Sequence, residues 1–537
     1  MSLTEARKRV DLARETGATH LSLSLGAMSG DSGSAWELAY LEVIHLWHEH
    51  LQALMPEVAK LHNLVSLDLS GNGLTVLPPE LFIMTGLTSL NLGGNDIEVL
   101  APEIWRLENL RKLDISDNRL TGIPQQLLQL KELTELRLGA NYISSDLGRL
   151  LGELAQLPDL TELDLSRNEL TEVPPELGDL ANLQTLDLSG NKLRTLPSQI
   201  GSLTALRTLQ LVGNRIETFP PEIARLTNIT SLDLAENDLS ALPQGIANLS
   251  GLTTLGLRDN AIGTLSGELS RLDKLTSLDL GANGLSIFPH EIVNLANLVR
   301  LDLSHNHFKS LPYEIAGLSG LIELDLDSNG MTDLSPMIVN LSALEILHLG
   351  GNELGQFPPV VLGLPALSEL DLSENGITSV PAEIARLTKL KALNLAGNDI
   401  EEFPPSVIGM ARLETLFLND NSLTALPEMV AGFTGLRELH VSFNALETLP
   451  GEMANLTALT RLYLNSNSFA VLPEVLMRLP SLAELYLDSN ELTRLPPELV
   501  LQTNLTALCV VDNPITDPPM NVAEKGLDAM LEYFSQA

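Results

Sequence analysis

The segment LVSLDLSGN, Leu64 to Asn72, is followed one period later by LTSLNLGGN, Leu87 to Asn95. Both match the pattern L-x-x-L-x-L-x-x-N, and twenty copies of it occur along the 537 residues. Eighteen of the nineteen intervals between successive Asn positions are 23 residues long, and the interval from 141 to 168 is 27. A fixed period of this length indicates a stacked repeat array, which grows without a closing core.

The leucine spacing predicts one short strand in each repeat. Alternating leucines bury one face of the strand, and the rest of the repeat returns the chain by one strand step of about 4.8 Å, so that the strands stack into a parallel sheet. Each Asn follows its strand, where its amide can bond to backbone groups buried at the turn. The predicted Asn ladder consists of Asn72, Asn95, Asn118, Asn141, Asn168, Asn191, Asn214, Asn237, Asn260, Asn283, Asn306, Asn329, Asn352, Asn375, Asn398, Asn421, Asn444, Asn467, Asn490 and Asn513.

The second half of the repeat, LTVLPPELFIMTGL at 74–87, resembles the L-x-x-L-P-x-E-I-x-x-L-x-x-L half of the 23-residue class of leucine-rich repeats, which includes Ras-group and bacterial Roco proteins. The resemblance covers nearly the whole chain. It implies an α/β solenoid, an open arc with a parallel sheet on the concave side and short 3-10 or α turns and loops on the convex side. A pair such as Pro79-Glu80 is expected to begin each helical turn, because proline has a suitable φ and the acidic side chain meets the positive helix end.

Both ends of the chain depart from the repeat, and its register suggests their boundaries. Extending the repeat register 23 residues toward the N-terminus from the first full repeat places Ile44 and Leu46 at buried positions of a strand near Val43 to Trp47. This register argues against one long helix there. The predicted division is a capping helix at 1–17, degenerate repeats at 18–63 with a loose connection at 26–35, the twenty repeats at 64–513 and a C-terminal cap with an amphipathic helix at 514–537.

The 27-residue repeat replaces the proline-containing turn with SSDLGRLLGELAQLPDL. Its leucines recur at helical spacing, at Leu147, Leu150, Leu151 and Leu154, so that a true α-helix is predicted on the convex side.

Composition excludes several classes of partner. The formal net charge is −37, from 32 Lys and Arg against 69 Asp and Glu, which argues against nucleic acid or an anionic membrane as a partner. No stretch approaches the roughly 20 apolar residues of a membrane span. The single cysteine, Cys509, excludes a disulfide framework, and the first residues lack the apolar run of a signal peptide, so a cytoplasmic location is expected.

The candidate partner site lies at the fifth position of the repeat, which faces the concave side. Aspartate dominates this position as far as Asp371, and four aromatic or imidazole rings replace it in consecutive repeats from 417 to 486. Tyr and Arg are enriched at binding hot spots. The alternative is that the rings stack on each other and only stiffen the sheet. The predicted partner-binding residues are the four rings together with two residues that share their face, namely Phe417, His440, Phe443, Arg461, Tyr463 and Tyr486.

A secondary candidate patch occupies the degenerate repeat and consists of His45, Trp47 and His48. Clustered histidines suggest zinc, but no cysteine accompanies them and strand spacing separates them, so no metal site is predicted. Elsewhere Ser, His and Asp form stripes on a solvent-facing surface and no buried constellation, so neither catalytic residues nor a cofactor are predicted, and the chain is not expected to be an enzyme.

Two functions remain open for this non-enzymatic chain. The first is a protein-interaction scaffold that binds a protein partner in trans, similar to Ras-group signalling repeat proteins. The second follows from the terminal segment 513–537, which resembles the end of the leucine-rich domain of bacterial Roco proteins and implies regulation, in cis, of a Roc-type GTPase domain. The resemblance therefore points to a small GTPase or a Roc-type domain as partner. This chain contains no G-x-x-x-x-G-K-[ST] phosphate loop of its own, and its oligomeric state is left open.

Overall fold

The chain was analysed as a computed structural model, which describes residues 3–24, 38–47, 56–143, 147–404, 410–498 and 504–536. The connection predicted at 26–35 lies outside these ranges. Two compact units follow one another, Met1–Leu275 and Thr276–Ala537. In both units, short parallel strands alternate with helical turns, which confirms the predicted α/β solenoid fold. None of the described helices is long and apolar enough to cross a lipid bilayer.

The first unit begins with a helix and continues as a parallel sheet in which each strand pairs with the next strand along the chain. A second α-helix interrupts the succession of 3-10 turns. The elements are α1 (Leu3–Thr16), β1 (His20–Ser24), β2 (Val43–Trp47), β3 (Ser66–Asp68), β4 (Ser89–Asn91), β5 (Lys112–Asp114), β6 (Glu135–Arg137), α2 (Leu147–Leu154), β7 (Glu162–Asp164), β8 (Thr185–Asp187), β9 (Thr208–Gln210), β10 (Ser231–Asp233) and β11 (Thr254–Gly256).

The second unit has the same sequential parallel pairing and ends in two helices. Its elements are β12 (Ser277–Asp279), β13 (Arg300–Asp302), β14 (Glu323–Asp325), β15 (Ile346–His348), β16 (Glu369–Asp371), β17 (Ala392–Asn394), β18 (Thr415–Phe417), β19 (Glu438–His440), β20 (Arg461–Tyr463), β21 (Glu484–Tyr486), β22 (Ala507–Cys509), α3 (Met520–Ala523) and α4 (Leu527–Gln536).

Short 3-10 helices return the chain between strands. Those at Pro79–Ile83, Pro175–Asp179 and Pro221–Arg225 begin with the predicted Pro-Glu pair. The residue before each of these prolines has an extended backbone, and each helix buries at least one apolar side chain, such as Ile223. Many of the acidic residues thus lie at helix starts, where the local partial charge favours them.

The degenerate repeat contains a strand where the register places one. β2 pairs in parallel with β1 and β3, and Ile44 and Leu46 are fully buried. His45 lies between them on the opposite face of the strand and is half-buried. The alternation follows from the strand period of two.

α2 is the helix expected in the 27-residue repeat. Its four leucines, Leu147, Leu150, Leu151 and Leu154, are all buried, and the helix packs against the neighbouring 3-10 turn Pro175–Asp179. At the C-terminal end α4 packs against β22. Leu527, Met530 and Phe534 of α4 are buried and Leu531 is half-buried, so the expected apolar face is the one that covers the last repeat.

The Asn ladder connects successive repeats through the backbone, as Asn191 illustrates. Its amide nitrogen donates to the carbonyl of Leu188 at 2.8 Å and to that of Leu165, in the preceding repeat, at 3.1 Å. Its side-chain oxygen accepts from the backbone N–H groups of Asn168 at 3.0 Å and Leu170 at 2.9 Å. Each of these Asn side chains therefore satisfies backbone groups of two repeats that have no partner within their own strand.

Replacing Asn191 by Leu should destabilise the first unit, because the side chain is only 5% exposed and its loss leaves several backbone groups buried without partners. We expect the free energy of unfolding to fall by about 2–4 kcal/mol, measured by urea denaturation followed by circular dichroism.

The matched control for this variant is Asn182→Leu, an exposed Asn in the same repeat with one hydrogen bond, to the carbonyl of Pro158. It should cost about 1 kcal/mol or less. Equal stability losses in the two variants would show that the ladder does not hold the repeats together.

Candidate functional site

Four rings of the second unit form one continuous column on the solvent-facing side of the sheet. The registers of β18 to β21 align Phe417 with His440, His440 with Tyr463, and Tyr463 with Tyr486. The ring centroids are 4.4, 4.1 and 4.6 Å apart in that order, and the interplanar angles are 29°, 9° and 1°. We call these four residues the ring stack.

The stack follows from the sheet geometry. Parallel strands lie about 4.8 Å apart, close to the separation of stacked aromatic rings, so identical positions in consecutive repeats bring ring faces into contact. The rings therefore do stack on each other, as the structural alternative predicted. All four side chains nevertheless remain half-buried, with part of each ring open to solvent. Stacking and partner binding thus do not exclude each other.

A row of charges borders the ring stack at the third position of the repeat. The Arg461 guanidinium lies 3.3 Å from a Glu438 carboxylate oxygen and 3.4 Å from one of Glu484. His440 Nε2 is 2.9 Å from the other Glu438 oxygen, and the Tyr486 hydroxyl donates to Glu484 at 3.0 Å. The two glutamates therefore connect Arg461 to the second and fourth rings of the stack.

The rings of the stack are uncharged near neutral pH. Burial lowers the pKa of His440, and this effect outweighs the nearby Glu438 carboxylate. The imidazole is then neutral, and Nε2–H donates to Glu438. The hydrogen bond to Glu484 raises the pKa of Tyr486 to about 12, and burial raises that of Tyr463.

Phe443 stands beside the stack in an unusual backbone conformation. The eighth position of all twenty repeats has a positive φ, and Gly, Asp or Ser often fills it, as at Gly397 and Asp420. At Phe443 φ is 54°, and the side chain is 60% exposed. Large side chains occupy this position in other repeats too, as at Arg167 and His305, but Phe443 is an apolar ring that lies exposed to solvent.

Phe443 and three rings of the stack line a shallow groove together with Asn465 and Asp488. The Asn465 amide donates to an Asp488 oxygen at 2.9 Å. The side-chain oxygen of Asn465 is buried and has no hydrogen-bond partner in the described structure. A buried acceptor without a partner carries a free-energy cost.

The secondary patch is only partly placed by the structure. His45 is half-buried, with Nδ1 3.4 Å from an Asp68 carboxylate oxygen. Trp47 ends β2, but its side chain lies outside the described residues, as does the whole of His48. The patch therefore stays a prediction.

A charged cluster that the sequence analysis did not single out lies on the same sheet face. Asp325 and His348 are paired in register, with 3.7 Å between a carboxylate oxygen and Nδ1, and Asp327 is adjacent. The close contact with the Asp325 carboxylate raises the pKa of His348 to about 9, so the imidazole is protonated at neutral pH. Burial and the neighbouring carboxylates Asp325 and Asp371 raise the pKa of Asp327 to about 7.

Several residues of the site were missed by sequence reasoning. Glu438 and Glu484 lie at the third position and Asn465 and Asp488 at the seventh, whereas the prediction rested on the rings of the fifth position, with Arg461 and Phe443 added from the same face. Comparing the third and seventh columns of the same repeats would have identified them, because all three positions share one face of the sheet.

Comparison with known proteins gives a consistent assignment. The profile of the leucine rich repeat family matches residues 39–216, 227–400 and 434–492 in overlapping blocks. No curated protein sequence matches the chain significantly. Among solved structures, a leucine-rich repeat protein of Leptospira interrogans is 33% identical with a TM-score of 0.56, and the match covers 76% of this chain and 91% of that one.

Two plant receptor structures are also similar. The Arabidopsis receptor kinase HAESA, solved in complex with the peptide hormone IDA and the co-receptor SERK1, is 26% identical with a TM-score of 0.54, over 93% of this chain and 87% of that one. The ectodomain of the Arabidopsis thaliana receptor kinase GASSHO1/SCHENGEN3, in complex with CASPARIAN STRIP INTEGRITY FACTOR 2, is 27% identical with a TM-score of 0.50, over 89% and 68%.

The lowered pKa of His440 predicts a pH-dependent stability. The unfolded chain binds this proton more readily than the folded chain, so the stabilisation by the neutral imidazole is complete above about pH 6.5 and is lost as the pH falls below that value. The variant His440→Phe keeps a ring in the stack but cannot be protonated. The difference in free energy of unfolding between wild type and variant should therefore shift in favour of the variant from pH 7.5 to 5.5.

Urea denaturation of both proteins at the two pH values measures this difference, since the remaining histidines are common to both and cancel. Parallel stability curves would contradict a neutral, proton-excluding His440 in the stack.

Proposed function

Because the chain belongs to the leucine-rich repeat family, we propose that it is a protein-interaction module that binds a protein or peptide partner at the ring stack of its second unit. The observation that carries the proposal is the replacement of the recurrent aspartates by Phe417, His440, Tyr463 and Tyr486 in four consecutive repeats. The core does not require these rings, because they lie on the face opposite the buried leucines.

The chemistry of this surface supports a protein partner. Neutral, half-exposed rings can bury a large apolar area with few rotatable bonds, and the tyrosines keep polar atoms for hydrogen bonds. The row formed by Glu438, Arg461 and Glu484 supplies a charged border, which is the usual arrangement around a hot spot. Phe443 adds an exposed ring beside the stack.

The similar structures support the same class of ligand. HAESA is bound to a peptide hormone and a co-receptor in its structure, so a chain of this architecture accommodates peptide and protein ligands. Ser, His and Asp residues recur in solvent-facing stripes, which supports a non-enzymatic role. The single cysteine supports a cytoplasmic location.

A regulatory role toward a GTPase is the second candidate. It is supported by the C-terminal segment, in which α3 and α4 follow a Pro518-Pro519 pair in a sequence that resembles the end of the Roco leucine-rich domain. In this case the partner would be a small GTPase or a Roc-type domain. Direct binding of purified Roc domains and small GTPases to this chain, in their GDP and GTP states, separates this candidate from a general scaffold.

The variants Tyr463→Ala and Tyr486→Ala should each weaken binding of the partner by about 1–3 kcal/mol, or roughly 5- to 150-fold in Kd. Each removes a ring that a bound protein would cover. The measurement is affinity capture with the purified chain and quantitative mass spectrometry, followed by calorimetric titration of each captured protein against wild type and variants.

Asp187→Ala and Asp233→Ala are matched controls, because they alter the same repeat position on the first unit. Their effects should be smaller and should diminish with added salt. If every captured protein binds the Tyr variants normally and the Asp variants poorly, the acidic column and not the ring stack is the partner site.

A further inference from the structure

Three potential metal ligands of the second unit converge on the solvent-facing side of two adjacent strands. Asp325 ends β14 and His348 ends β15 at the same register position, and Asp327 follows Asp325 by two residues, so all three share one face. One ligand atom from each of the three side chains lies within 4.8 Å of the others. A small inward movement of half-buried side chains would bring these atoms to the distances of a metal coordination sphere.

The imidazole of His348 is held between carboxylates on both sides. Its Nδ1 faces Asp325, and its Nε2 lies 3.4 Å from an oxygen of Glu369 on the next strand. Histidine ligands of metals commonly donate their second N–H to a carboxylate, which fixes the tautomer and the ring orientation. Glu369 can take that role here and leaves Nδ1 for a metal ion shared with the two aspartates.

Backbone N–H groups orient both aspartates. One oxygen of Asp325 accepts from the N–H of Asp327 at 2.9 Å, and one oxygen of Asp327 accepts from the N–H of Gly350 at 2.6 Å. A Cβ atom at Gly350 would lie 2.9 Å from the Ser373 hydroxyl and 3.3 Å from the Asp327 carboxylate, so a side chain there would disturb the arrangement. Each carboxylate therefore keeps a second oxygen for a ligand.

The repeat departs from its own pattern at both contributing positions. The seventh position carries small residues in many repeats, as at Ser70 and Gly93, but an aspartate at 327. The fifth position of the next repeat carries His348 where aspartate is most frequent. Either departure alone would give only an acidic pair or an ion pair, whereas together they assemble a mixed nitrogen and oxygen donor set.

We propose that Asp325, Asp327 and His348 form a site for a divalent transition-metal ion, with Zn²⁺ the best match. One imidazole nitrogen and two carboxylate oxygens suit Zn²⁺, whereas Ca²⁺ and Mg²⁺ prefer oxygen ligands only. The metal ion takes the place of the proton on Nδ1, which leaves to solvent. Three protein ligands leave at least one coordination position open on the solvent-facing surface of the sheet.

The test is calorimetric titration of ZnCl₂ into the full chain after dialysis against EDTA, in chelator-free buffer at pH 7.5. Wild type should bind one Zn²⁺ at this site. Asp327→Asn and His348→Gln should each weaken the binding by about tenfold or more, because each removes a ligand while preserving the approximate size of the side chain. Circular dichroism of the variants verifies that the fold is retained.

His305→Gln, an exposed histidine in a neighbouring repeat, and Asp187→Asn, at the fifth position of the first unit, are the controls and should bind Zn²⁺ like wild type. Three results would each overturn the proposal. The first is that wild type does not bind Zn²⁺ stoichiometrically, and the second is that wild type and both site variants bind Zn²⁺ equally. The third is that wild type binds Ca²⁺ more tightly than Zn²⁺ and that His348→Gln does not change the Ca²⁺ affinity. In each case His348 would be an ion-pair partner of the acidic cluster and not a metal ligand.

Discussion

Register between successive repeats is the constraint on which the other features of this structure depend. A three-residue strand offers few backbone hydrogen bonds, and the Asn side chain that follows it supplies several more. Asn191 donates to a carbonyl group of its own repeat and to one of the preceding repeat, and it accepts from two N–H groups of the preceding repeat. Because the group that fixes the turn also bonds to the neighbouring repeat, local conformation and stacking are established together. A shift of register by one residue would break these bonds and expose the leucines.

Because the register is uniform, side chains at the same position of consecutive repeats line up in a column across the sheet. Side chains separated by 23 residues then lie one strand step apart, so the chemistry of a surface is decided by what occupies one position in consecutive repeats. At the fifth position of β18 to β21 this produces stacked, uncharged rings 4.1 to 4.6 Å apart. At the same position of β14 and β15 it places a carboxylate beside an imidazole.

Two histidines at equivalent positions show how strongly the neighbours decide side-chain chemistry. His440 lies between rings, and burial lowers its pKa despite the bond to Glu438. His348 lies between Asp325 and Glu369, and these contacts raise its pKa to about 9. The same residue type is therefore neutral in one column segment and charged in another. The difference comes mainly from the adjacent strands, which place rings beside His440 and carboxylates beside His348.

The repeat fold follows from the amino-acid sequence alone, because the periods of leucine, asparagine and proline are local signals that recur too regularly to permit another architecture. The sequence also placed the strand at Val43–Trp47 and the helix at Leu147–Leu154, since both follow from register and helical spacing. It indicated the column of four rings, because one position of the repeat identifies them.

Contacts between neighbouring columns become visible only in the folded chain. Different positions of the repeat meet in the bonds of His440 to Glu438 and of Tyr486 to Glu484, and in the cluster of Asp327 with His348. The unpartnered oxygen of Asn465 likewise depends on what surrounds it in the fold. Such contacts depend on side-chain rotamers and on burial across strands. Comparing one repeat position at a time along the sequence gives no information on rotamers or burial. The sequence therefore indicated the surface, and the structure defined its chemistry.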